Sequence, residues 1–129
     1  MNWLLSQVAT AVDGRLIGAD LALNGVSTDT RAVEAGQLFI ALCGERFDAH
    51  DFLAPAAATA AALMVSDASK LPAGISAVLV DDTRLALGRL AAAWRASFKL
   101  PVIAVTGSNG KTTTKEMIAA ILKAEFGAA

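Results

Sequence analysis

Pro101-Val-Ile-Ala-Val-Thr-Gly-Ser-Asn-Gly-Lys-Thr-Thr-Thr-Lys-Glu-Met117 is the stretch that decides how the chain is read. The apolar run from Val102 to Val105 predicts a buried strand of a parallel sheet. It breaks into Thr106-Gly-Ser-Asn-Gly-Lys-Thr112, and a helical pattern follows from about Thr112 to Phe126. Strand, glycine loop, lysine with hydroxyl, then helix is the layout of a phosphate-binding loop. Backbone amides of Gly107, Ser108, Asn109, Gly110, Lys111, Thr112 and Thr113 are placed to converge on phosphate oxygens, helped by the helix N-terminus. Lys111 is the expected catalytic cation reaching the terminal phosphates, and the Thr112 hydroxyl the expected magnesium ligand, so ATP and Mg2+ are the implied cofactors. The general pattern asks for a glycine at the position held by Val105, so the motif is the compact form opening at Gly107. An ordinary strand-to-helix turn with a surface lysine is the plainer reading, and the ordering of the elements argues against it.

Working outward, the chain alternates strands and helices, which makes the class α/β. Leu4, Leu5, Val8 and Val12 fall at helical spacing over Trp3 to Val12, with Gly14 placed to stop the helix. Short strands are expected at Arg15–Ile17 and Leu21–Val26, around a turn at Gly18–Asp20. A polar run ending at Arg31 and a turn at Gly36 precede a buried strand over Gln37–Leu42. A loop over Cys43–His50 then feeds a helix over Asp51–Ala62, with Pro55 tolerated in its first turn. Strands follow at Leu63–Val65 and Ser76–Val80. Asp81 or Asp82 caps a helix to Phe98, whose Leu87, Leu90, Ala91, Trp94 and Phe98 make one apolar stripe and whose Gly88 permits close packing. The last helix carries Ile118, Ile121, Leu122 and Phe126, a stripe that expects a sheet beneath it. Either Val102–Val105 joins the first domain's sheet, or the polypeptide is a piece of a longer enzyme, and the second is the expectation here.

Composition narrows the classes further. The chain has 129 residues, 55% of them hydrophobic, with formal net charge −1 and one cysteine. That is room for one ordinary domain, or one small domain and part of another. Bulk electrostatics do not drive it to nucleic acid or a membrane surface, and a lone Cys43 supports neither an internal disulfide nor a cysteine zinc site. No secretory leader and no membrane-spanning run is legible, so a cytoplasmic protein without membrane insertion is expected. Cys43 follows an apolar strand and reads as buried and inert.

Three N-terminal motifs sharpen the phosphate-loop reading. Ser27-Thr-Asp-Thr-Arg31, Gly36-Gln-Leu-Phe-Ile-Ala-Leu42 and Gly44-Glu-Arg-Phe-Asp-Ala-His-Asp-Phe52 resemble the UDP-substrate-binding domain of the Mur ligases, the ATP-dependent amide ligases of peptidoglycan synthesis. Asp82-Thr-Arg-Leu-Ala-Leu-Gly88 resembles that family's connection into its ATPase domain, and Thr106–Met117 its phosphate loop. Within the family, the Gly-Glu-Arg-Phe-Asp, His-Asp-Phe and Gly-Ser-Asn-Gly-Lys-Thr pieces resemble the branch that joins D-alanyl-D-alanine to UDP-N-acetylmuramoyl-tripeptide. Ala49 stands where the family usually has glycine, a mild change if the backbone dihedrals there are negative.

The resemblance implies a small substrate-binding domain with a mixed sheet over residues 1–98. Residues 99–129 would be the opening strand, phosphate loop and helix of an incomplete ATP-binding domain. It implies UDP-substrate contacts from Ser27, Thr28, Arg31, Gly44, Arg46, Asp48 and His50, and a monomer acting on UDP-N-acetylmuramoyl-tripeptide and D-alanyl-D-alanine. The implied reaction runs through an acyl phosphate, with the 129 residues alone inactive. A sister ligase adding diaminopimelate or lysine, a folylpolyglutamate-type ligase, a non-catalytic UDP-muramoyl binding module and an unrelated small P-loop NTPase are the alternatives. Other readings of single residues stand beside these. Arg31 and Arg46 read equally as surface ion-pair partners, His50 as a local hydrogen-bonding residue at a helix start, and Asp81-Asp82 as a cap rather than a catalytic pair.

Overall fold

A computed structural model describes residues 2–127, so Met1 and residues 128–129, the ends of the two expected domains, lie outside the described residues. The described residues form two compact units, one ending at Phe98 and the next beginning at Lys99.

The first unit is built on a five-stranded sheet. Its strands are β2 (Arg15–Ile17), β4 (Gly25–Ser27), β5 (Gln37–Ile40), β6 (Ala62–Val65) and β7 (Ser76–Leu79), in the spatial order β2-β7-β6-β5-β4. β4, β5, β6 and β7 run parallel, while β2 lies antiparallel against β7, so the sheet is mixed. A separate antiparallel ribbon joins β1 (Trp3–Leu4) to β3 (Ala22–Leu23). The strands are apolar at nearly every position because both faces are covered. Leu38, Ile40, Ala62, Met64, Val78 and Val80 point to one face, where α1 (Leu5–Ala11) and α3 (Thr83–Ala96) supply Leu5, Val8, Ala86 and Leu90. The intervening Phe39, Ala41, Leu63, Val65 and Ala77 point to the other, under Ala49, Leu53, Ala56 and Ala60 around α2 (Leu53–Ala57). This two-residue alternation is the pleat itself.

Several expectations are corrected. The first helix starts at Leu5, because Trp3 and Leu4 are taken by the ribbon with Ala22 and Leu23. The single strand expected over Leu21–Val26 is two, β3 in the ribbon and β4 at the edge of the five-stranded sheet. The helix expected over Asp51–Ala62 is a 3-10 turn over Ala49–Phe52 followed by the short α2, and Ala62 is already strand. Gly88 has open space where a Cβ would stand, so it permits no close packing. Of the stripe on α3, Leu90 is buried and Leu87 and Trp94 half-buried, whereas Ala91 and Phe98 are exposed. Trp94 packs edge-on against Trp3 at 5.6 Å and against Phe98 at 5.0 Å. Cys43 is exposed, because β5 ends at Ile40 and the chain has already turned outward.

The second unit holds the largest correction. Val102–Val105 pairs with no strand among the described residues, and Val102 and Ile103 are 62% and 59% exposed. A strand is defined by a neighbour that takes its backbone hydrogen bonds, and apolar character alone does not supply one. The helix that follows, α4 (Lys111–Phe126), does form. Of its expected stripe, Ile118 is half-buried and Ile121, Leu122 and Phe126 are exposed.

Candidate functional site

In the first unit, the parallel strands β4 to β7 all end on one edge of the sheet, and the loops leaving them carry the polar residues. This is the edge where open α/β sheets place their ligands. A cleft of about 600 Å³ lies there, lined by Thr28, Asp29, Thr30, Arg31, Phe47, Ala49 and Phe52. One wall is a turn built by side chains. The Ser27 hydroxyl accepts from the Asp29 amide at 3.2 Å, and Asp29 Oδ1 accepts from the Arg31 amide at 2.9 Å. Arg31 closes the turn by donating from Nε at 3.0 Å and Nη2 at 2.8 Å to the two Asp29 oxygens, a bidentate pair. The Arg31 guanidinium holds the Asp29 carboxyl down at about 2 and is itself raised. The pair is therefore charged through the neutral range, with the Arg31 side chain 87% exposed toward solvent.

The opposite wall is aromatic. Phe47 and Phe52 stack face to face, centroids 5.1 Å apart and planes within 10°, and both are exposed. Rings left exposed in a polar loop offer a flat apolar surface beside a guanidinium. The loop is shaped by the Gly44 amide donating to the Phe47 carbonyl at 2.7 Å, the Cys43–Asp48 bridge, and the Ala49 amide donating to Leu42 at 3.0 Å.

Of the residues singled out for this site, Thr28 and Arg31 line the cleft. Ser27 shapes the turn behind it. Gly44 and Arg46 sit on the exposed part of the loop. Asp48 and His50 face inward: His50 is 4% exposed, its Nδ1 lies 2.7 Å from Asp48 Oδ1, and its Nε2 accepts from the Ser66 amide at 2.9 Å. Hydrogen bonds from the His50 amide and then its ring hold the Asp48 carboxyl below the usual range. Lys70, raised by its 3.0 Å bond to Asp51, completes the network. Sequence reasoning missed Phe47, Phe52, Asp29 and Thr30. The signal was there for the rings: two phenylalanines stand in an otherwise polar loop.

A smaller cleft of about 280 Å³ opens further along the same edge, lined by Cys43, Ser66 and residues 81–84. Asp82 caps α3 there, accepting from the Arg84 and Leu85 amides at 2.8 and 2.9 Å. The Asp81-Asp82 pair thus contains a helix cap.

In the second unit, Gly110 is the N-cap of α4 at φ +74°, and Gly107 lies at φ +149°. Both angles suit glycine, and they turn the loop so that Lys111, Thr112 and Thr113 form the first turn. The Thr114 amide donates to the Gly110 carbonyl at 2.9 Å, which starts the helical ladder. The Lys111 ammonium folds back over the loop to donate to the Gly107 carbonyl. Ser108, Asn109 and the first-turn threonines are exposed around it. The unit presents helix-terminal amides and one cation on the same side, the ingredients of an anion site.

Comparison with known proteins joins these observations. Residues 22–95 match the Mur ligase family catalytic domain, and residues 105–129 match the Mur ligase middle domain. The chain belongs to the Mur ligase family. Over 119 residues it is 52% identical to the UDP-N-acetylmuramoyl-tripeptide–D-alanyl-D-alanine ligase of Escherichia coli K12, covering 92% of this chain and 26% of that protein. A crystal structure of MurF from Acinetobacter baumannii superposes with a TM-score of 0.86 at 41% identity, over 96% of this chain and 28% of the other. The MurF ligase of Thermotoga maritima in complex with ADP gives 0.67 at 34% identity, over 78% and 23%. The chain spans about a quarter of the length of the curated relatives it matches.

Proposed function

We propose that this chain provides the UDP-substrate domain, residues 1–98, and the phosphate loop, within residues 99–129, of an ATP-dependent ligase. The enzyme joins D-alanyl-D-alanine to UDP-N-acetylmuramoyl-tripeptide in peptidoglycan precursor synthesis. The observation that carries this reading is that 52% identity to such a ligase runs through 92% of the chain, taking in both the cleft and the loop.

The chemistry follows from what each unit can bind. In the cleft, the stacked Phe47 and Phe52 take the flat base, and Arg31 with the Thr28 hydroxyl takes the diphosphate. In the loop, the first-turn amides of α4 and Lys111 hold the β- and γ-phosphates. The Thr112 hydroxyl is a hard oxygen donor in the right turn for magnesium, which when bound neutralises phosphate charge. No cluster of three or more metal-ligating side chains stands among the described residues, so Thr112 would share the ion with the nucleotide. A tripeptide carboxylate oxygen attacks the γ-phosphorus and ADP leaves. The D-alanyl-D-alanine amine then attacks the acyl phosphate carbon, loses its proton, and phosphate leaves as the amide forms. What the residues contribute is position and charge neutralisation. These 129 residues bind but do not ligate, the intact enzyme is a cytoplasmic monomer, and no described helix is long and apolar enough to cross a membrane.

Calorimetric titration tests the reading. The chain should bind UDP-N-acetylmuramoyl-tripeptide saturably, Arg31→Ala should weaken that binding, and Lys111→Ala should leave it unchanged. Failure of the tripeptide ligand to bind refutes the cleft assignment, and ligation by the 129-residue chain refutes the predicted inactivity.

A further inference from the structure

His50 is the chain's only histidine, and its side chain is buried. Its protonation state is fixed by its partners. A backbone amide can only donate, so Nε2, accepting from the Ser66 amide at 2.9 Å, carries no hydrogen. Nδ1 therefore carries it and donates to Asp48 Oδ1 at 2.7 Å. The ring is neutral, in one tautomer, and spans two elements. Asp48 caps the turn over Ala49–Phe52, and Ser66 leaves the end of β6.

That placement gives the ring a task. Phe47, Ala49 and Phe52, which flank His50 in the chain, line the cleft, while His50 points the other way and ties the same segment to the sheet. We infer that His50 is a positioning residue: its neutral imidazole holds the Phe47–Phe52 wall in register, and protonating it loosens the wall and weakens the cleft's grip on a nucleotide sugar. The inference rests on the cleft reading proposed above.

A hydrogen on Nε2 would face the Ser66 amide, donor against donor, and that bond is lost. The Ser66 hydroxyl, 3.3 Å from Nε2, is the oxygen placed to accept the new hydrogen, and reaching it turns the ring away from the amide. The charged groups that act on the ring are Asp48 from its own segment and Asp67 from the connection after β6, with Lys70 next to them, paired to Asp48 and Asp51. The Asp48 carboxylate keeps its Nδ1–H bond in either state, so the change concentrates on Ser66 and the loop.

The test uses the full chain and UDP-N-acetylglucosamine, whose diphosphate diester does not titrate in the range where imidazoles do. Nitrogen NMR of the free protein follows the His50 ring as the pH is lowered from about 8. The expected result is the Nδ1–H neutral form at the upper end. On protonation, the Ser66 amide and the Phe47 and Phe52 ring signals should shift with the midpoint of the imidazole. Once the ring carries its second hydrogen, the dissociation constant for the sugar nucleotide is about fivefold higher, the worth of one hydrogen bond. His50→Gln, which keeps an acceptor near the Nε2 position, should bind with little dependence on pH. Phenylalanine signals that ignore the His50 titration overturn the inference, as does an affinity that stays flat while the ring titrates. Absence of binding at pH 8 overturns the cleft reading instead, and the signals of the free protein still decide the role of His50.

Discussion

Gly14, just after α1, offers a sharp test of the packing. A Cβ added there would stand 2.6 Å from Val78 Cγ1, 3.0 Å from the Leu79 carbonyl oxygen and 3.0 Å from Val80 Cγ1. The first contact is roughly 1 Å inside optimal carbon–carbon separation. Little can give way. Val78 is fully buried and paired with Met64 on one side and Leu16 on the other, so the backbone around it is held by two ladders. Gly14 is itself pinned by the hydrogen bond its amide donates to the Ala9 carbonyl at 2.8 Å. Gly14→Ala should therefore reach the upper part of the overpacking range, about 2–3 kcal/mol. For a unit of this size that lowers the melting temperature by about 10–20 °C. Gly88→Ala is the opposed control: the site is helical with nothing near the new methyl, so stability should rise by about 0.5–1 kcal/mol. Both tryptophans, Trp3 and Trp94, lie in the first unit, so urea unfolding followed by their fluorescence reports it directly. A Gly14→Ala protein within about 0.5 kcal/mol of the parent refutes the packing argument.

Asp82→Ala removes the acceptor for two amides at the start of α3 and should cost about 1 kcal/mol in the same unfolding experiment. Asp29 has its folded pKa depressed to about 2, so its contribution is present above the ordinary carboxylate value of 3.8 and is lost as pH falls toward 2. Arg31→Gln should move the Asp29 midpoint in a carbon NMR titration upward toward 3.8, and an unmoved midpoint would mean another group holds it down. Leu38→Ala, at a fully buried position between β4 and β6, should cost about 2–5 kcal/mol. Ile103→Ala, largely exposed in the second unit, should stay within about 0.5 kcal/mol when unfolding is followed by far-ultraviolet circular dichroism, and a larger loss would show that residue to be packed.

The strands of the sheet were legible because both of its faces are covered. Gln37–Ile40, Ala62–Val65 and Ser76–Leu79 carry apolar side chains almost throughout, and that signal survives without knowledge of the neighbours. Val102–Val105 carries the same signal and forms no strand, because pairing is a property of two segments and a sequence window shows only one. Trp3 and Leu4 failed in the opposite sense: their helical spacing is real, but Ala22 and Leu23 claim their backbone for a ribbon. Thr28 and Arg31, named from their motif, line the larger cleft. The inward turn of Asp48 and His50 was not legible, since polar residues in a loop carry no mark of which side they face until Ser66 arrives from 16 residues away. Cys43 was misread for a related reason, its strand having ended before it.

That exposed thiol has a practical consequence. Cys43 is the chain's only cysteine, it starts the loop that carries Phe47, and it also borders the smaller cleft. A maleimide dye will therefore attach at one defined point and leave the buried layers untouched. The fold comes with a reporter position built in, on the loop that carries Phe47. Occupancy of that edge becomes readable by fluorescence without a single engineered substitution.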